Sequence, residues 1–111
     1  MNIDFRPKKL SKIFNSEKEL IREFGAVNAR IIMMRMNYLQ AAASLEDVSH
    51  LPPFRRHELM GTDKGKYSID VKHPYRLIIK PNHDPLPEKD DGGLDLAKVT
   101  DITILGIKDT H

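Results

Sequence analysis

Residues 55–82 read RRHELMGTDKGKYSIDVKHPYRLIIKPN. The apolar residues fall in short runs rich in β-branched and aromatic side chains, and Gly, Pro and Asp separate them. That pattern belongs to strands and turns, and it predicts strands over residues 56–60, 67–71 and 75–79. In the third, Leu77 and Ile79 share one side while Arg76 and Ile78 share the other. In the second, Tyr67, Ile69 and Val71 oppose Ser68 and Asp70. One side must pack on other elements, and alternation alone leaves open which, because Ile78 lies with Arg76. Basic residues crowd the same stretch: residues 54–83 carry a formal charge of +4, and residues 84–101 carry −4. Such asymmetry suits a polyanion, which the total of +2 conceals.

Outward from this core, residues 99–107 predict a last strand and residues 2–5 a first, with Ile3 and Phe5 alternating with polar neighbours. Ser16 followed by Glu19 is a capping-box pattern for a helix that Gly25 ends. From residue 26 to 43, Val27, Ile31, Met34, Tyr38 and Ala42 recur at helical intervals, widened by Ile32, Met36 and Leu39 and flanked by Asn28, Arg30, Arg35 and Asn37. The methionines read as core filling. Leu45 to Val48 adds at most one helical turn before Pro52 and Pro53 stop any helix. The expected order is therefore β-α-α-β-β-β-β: an α+β fold in which a two-helix hairpin covers one face of a largely antiparallel sheet.

A length of 111 residues predicts one domain over residues 1–111. With 40% hydrophobic and 31% charged residues the chain reads as folded rather than disordered. The absence of cysteine suits a reducing compartment and excludes thiolate chemistry. No apolar run is long enough for a membrane span and no signal-peptide core is present, so a cytoplasmic location with no membrane contact is expected. The five histidines, at 50, 57, 73, 83 and 111, form no zinc motif, and the acidic residues 90–95 lack the spacing of a calcium loop, so neither metal nor cofactor is expected. Residues 81–98, with three prolines, read as a long connection without regular structure. What remains is the cluster of Arg55, Arg56, His57, Lys64, Lys66, Tyr67, His73 and Arg76.

The series His57-Glu58-Leu59, Gly61, Lys64-Gly65, Tyr67-Ser68-Ile69-Asp70-Val71, then Tyr75-Arg76-Leu77-Ile78, with Asp and His near the last residue, resembles the RelE/ParE toxin superfamily and most closely its HigB-like killer members. The resemblance implies a toxin of a type II toxin–antitoxin pair, restrained by an antitoxin of helix-turn-helix type. It implies a metal-independent endoribonuclease that cuts messenger RNA, commonly on the ribosome, by attack of a ribose 2′-OH on the adjacent phosphate. Arg76 would clamp the phosphate, since a guanidinium holds two oxygens at once. His111 and His57 would be the catalytic proton-transfer candidates, and Arg56, Lys64, Lys66 and Tyr67 the RNA and phosphate contacts. Met60 and Thr110 stand where relatives often carry lysine and tyrosine. They keep open an alternative, a non-catalytic ParE-like toxin that inhibits a topoisomerase by binding it.

Overall fold

A computed structural model describes residues 1–109. The chain runs β1 (Asn2–Phe5), α1 (Leu10–Phe14), α2 (Glu17–Phe24), α3 (Ala26–Ala41), β2 (His57–Glu58), β3 (Tyr67–Asp70), β4 (Tyr75–Pro81) and β5 (Asp101–Asp109), with single 3-10 turns at Leu45–Asp47, Gly61–Asp63 and Leu96–Lys98. This is an α+β architecture with three helices and a five-stranded mixed sheet of order β1-β5-β4-β3-β2. β1 lies parallel to β5, and every other pairing is antiparallel.

Three expectations need correction. A third helix, α1, precedes the expected pair. It has no side-chain cap and only five residues, so local sequence barely marks it. It is held by tertiary contact: the Phe14 ring lies 5.6 Å from Phe5 and 6.4 Å from Phe24. The strand expected over residues 56–60 shrinks to His57–Glu58, because Gly61 turns the chain out of the ladder. Finally, the stripe expected to be buried on α3 is rotated. Val27 and Met34 are more than half exposed and Tyr38 is 40% exposed, whereas Asn28, Ala29, Ile32, Arg35, Met36 and Leu39 are buried. α3 is apolar almost all round, so periodicity offered two seams and could not choose between them.

Ser16 does cap α2, its hydroxyl accepting from the Glu19 N–H at 3.2 Å. The return half of the capping box is absent: the Ser16 N–H bonds Ile13 O, and Glu19 turns to Arg22 at 3.9 Å. Gly25 ends α2 and starts α3 with φ +82°, a value that only glycine takes without strain.

The sheet buries one face against the helices. Tyr67, Ile69, Val71, Leu77, Ile79, Ile102 and Ile104 join Leu20, Ala29, Ile32, Met36 and Leu39 in one core. In β5 the inward set passes from Ile102 and Ile104 to Ile107, because a bulge opposite Ile78/Ile79 inserts Leu105. By alternation the opposite face carries two rows: His57, Ser68 and Ile78 in one, and Asp70, Arg76 and Lys108 in the next. Ile78 and Ser68 are nevertheless buried, so this face is not a fully solvated one.

The expected structureless connection is folded on itself. Glu88 bridges Leu94, Lys89 N–H donates to Gly93 O at 2.7 Å, and Leu94 and Leu96 pack on the core. Its end is fastened by His83, whose Nε2 accepts from the N–H groups of Thr100 and Asp101 at 3.1 and 3.3 Å. Among the described residues no helix is long and apolar enough to cross a membrane.

Candidate functional site

The face away from the helices holds a saddle of charge. Asp70, at the end of β3, reaches Arg76 Nε of β4 with one carboxylate oxygen at 3.4 Å and Arg55 Nη1 with the other at 3.6 Å. Asp70 itself is fixed through its backbone. Its N–H donates to Phe54 O at 2.8 Å, and its carbonyl accepts from Arg35 Nε at 2.8 Å. Arg35 comes from α3, lies 5.0 Å from the Phe54 ring centroid, and is buried. Burial lowers its pKa and the nearby Asp70 carboxylate opposes that shift. A buried cation thus fastens the helix layer to the backbone of the residue whose carboxylate holds the exposed Arg55 and the half-buried Arg76.

Two clefts meet at this saddle and share Arg55, Asp70 and Arg76. The larger, about 490 Å³, is completed by His50, Arg56 and His57. The smaller, about 160 Å³, is completed by Val71, His73, Pro74 and Tyr75. The arginines can neutralise an anion over the saddle, since guanidinium groups match phosphate oxygens in pairs. Tyr75 lines the smaller cleft and is 45% exposed, but it alternates with Arg76 and shares the helix-facing side with Leu77 and Ile79, where it also lines a cleft with Phe24, Asn28 and Ile107. Arg55 has φ +47°, rare for a side-chain-bearing residue and worth on the order of 1 kcal/mol of strain. Its N–H is held by Leu51 O at 3.0 Å. Beneath, the buried Ser68 hydroxyl has no hydrogen-bond partner among the described residues.

Of the residues expected from sequence, Arg76, His57 and Arg56 line the larger cleft. Arg56, however, is turned inward: its Nη1 donates to the carbonyls of Leu45 and Val48, pinning the Leu45–Asp47 turn. Lys64, Lys66 and Tyr67 are not brought to this site. Lys66 pairs with Asp63 at 3.0 Å. Lys64 and Tyr67 line a separate cleft of about 360 Å³ with Glu58 and the acidic connection. Tyr67 is buried, and its pKa is raised, first by burial and then by the Glu58 carboxylate. It presents no ring for stacking. His111 lies outside the described residues. His50 and the bridging role of Asp70 were missed. Alternation set Asp70 opposite Tyr67, Ile69 and Val71 but did not pair it with Arg76, which the strand register does, and nothing in the spacing of His50 marks it.

No residue of the acidic connection lines either cleft at the saddle. Among the described residues no group of three or more His, Asp or Glu could hold a metal ion. The described lining of the larger cleft offers three arginines, two imidazoles and the Asp70 carboxylate. A scan against family models gives no match to this chain, and a search of curated proteins gives none either.

Proposed function

We propose that this chain is the toxin of a type II toxin–antitoxin pair with a RelE-like fold, acting as a metal-independent endoribonuclease on messenger RNA, on the ribosome. The observation that carries the reading is the pair Arg55 and Arg76 on one carboxylate, at the junction of two open clefts, with His57 in the larger. Cleavage by a ribose 2′-OH needs cations around the phosphorane-like transition state and side chains that move protons, and this surface has both. An RNA phosphate would lie over the saddle. The ribose would face His57. The antitoxin would be the protein partner that covers this surface.

The test is inducible expression of the wild-type chain and of Arg76→Ala. Wild type should arrest growth and leave defined breaks in messages, and Arg76→Ala should do neither. Unimpaired growth with wild type, or equal cutting by the variant, would contradict the reading.

One observation favours a second reading, the non-catalytic inhibitor of a topoisomerase: Arg56 and Lys66 are engaged with internal partners, which leaves fewer cations for RNA. Supercoiling assays with purified gyrase separate the two, because an inhibitor would block the enzyme without creating RNA ends.

A further inference from the structure

We infer that His50 is the second proton-transfer group of the larger cleft, working with His57 on the RNA phosphodiester. This rests on the nuclease reading above. The cleft is lined by His50, Arg55, Arg56, His57, Asp70 and Arg76. Arginine stays protonated at any working pH and cannot shuttle a proton. Among the described residues Asp70 is the one carboxylate lining the cleft, and both its oxygens are engaged, one with Arg76 at 3.4 Å and the other with Arg55 at 3.6 Å. That leaves the imidazoles of His50 and His57, whose ring nitrogens can take or give a proton, as the other such groups among the described residues of this lining.

His50 reaches this cleft although no motif links it to His57. The chain between them closes on itself: Leu51 O accepts from Arg55 N–H at 3.0 Å, and Ser49 O accepts from Arg56 N–H at 3.0 Å. Arg56 locks the base of this loop by donating to Leu45 O and Val48 O. His50 is thereby carried back beside the start of β2, and its ring remains exposed. The left-handed backbone at Arg55 belongs to the same closure.

In the reaction one histidine, neutral, takes the proton of the 2′-OH as that oxygen bonds phosphorus. The bond from phosphorus to the 5′ oxygen breaks, and the other histidine, protonated, gives its proton to the leaving oxygen. The products are a 2′,3′-cyclic phosphate and a free 5′-hydroxyl. The proton count of the protein is unchanged, and the two imidazoles have exchanged states. Arg55 and Arg76 balance the charge on the phosphorane, so no metal or redox partner enters the step.

The experiment measures the pH–rate profile of cleavage on ribosome-bound message for wild type, His50→Gln, His57→Gln and His111→Gln. Affinity for a strand with 2′-deoxyribose at the cut site is followed in parallel. Wild type should give a bell. His50→Gln and His57→Gln should each lower the rate about 100-fold or more and each remove a different limb, while affinity changes less than about threefold. His50→Gly should regain cleavage with added free imidazole, which a merely structural role would not allow. Should His50→Gln cut at the wild-type rate with both limbs intact, or should His111→Gln remove the limb instead, His50 is not the group. If wild type cuts no RNA at all, the nuclease reading falls and His50 falls with it. A cutting wild type beside a cutting His50→Gln overturns only the present inference.

Discussion

Asp70 organises the site because its backbone is fixed by Phe54 and Arg35 while its carboxylate spans two cations. Around it, single side chains make separate predictions. Ser68 is buried with no hydrogen-bond partner for its hydroxyl among the described residues, so Ser68→Ala should raise stability by about 1 kcal/mol in urea unfolding; a loss of similar size would show that the hydroxyl has a partner. Tyr67 has its pKa raised above 10.0 by burial and Glu58, so its neutral form is the one the fold accepts. Below the ordinary phenol range both folded and unfolded chains carry it neutral. As pH rises through 10 the unfolded chain ionises first, and stability falls. Tyr67→Phe should flatten that alkaline loss, and a curve parallel to wild type would count against the buried phenol. Alternation gave the two sides of each strand, and the register Asp70↔Arg76 then set the pair on one side of the sheet. It could not reveal that Arg35 is buried, since an arginine among asparagines reads as a helix flank until Phe54 and the Asp70 carbonyl are seen to receive it.

Among the elements, α3 decides how the layers meet. Ile32 is fully buried and Val27 is 59% exposed. Ile32→Ala should therefore cost about 2–5 kcal/mol and Val27→Ala less than about 0.5 kcal/mol, measured by chemical denaturation. The reverse order of effects would restore the seam that periodicity first suggested. The period of the helix was legible, but its rotation was not, because the apolar residues run around nearly the whole circumference. The connection from β4 to β5 gives a second case. Its prolines and acidic residues read as a structureless loop, yet His83 fastens its end by accepting two backbone N–H groups. His83→Ala should lower stability by about 1–2 kcal/mol and raise amide exchange at Thr100 and Asp101. Unchanged exchange there would mean that the imidazole is not holding the strand.

In the whole molecule, helices occupy one face of the sheet and the charged saddle the other, and Arg35 crosses between them. Its loss leaves the Asp70 carbonyl and the Phe54 ring without their cation, so Arg35→Ala should cost about 2–4 kcal/mol and weaken the site from behind. The α+β class was legible from the shift of period beyond Pro53. The mixed character of the sheet was not, since β1 pairs in parallel with β5 across nearly the full length of the chain. The central claim is that the saddle of Arg55, Asp70 and Arg76 cuts RNA. It is tested most directly by mapping 5′ ends on ribosome-bound message after exposure to purified wild type and to purified Arg76→Ala. Discrete new 5′-hydroxyl ends with wild type, reduced 100-fold or more by the variant, are the predicted result; intact message with wild type, or equal ends with both, would contradict it.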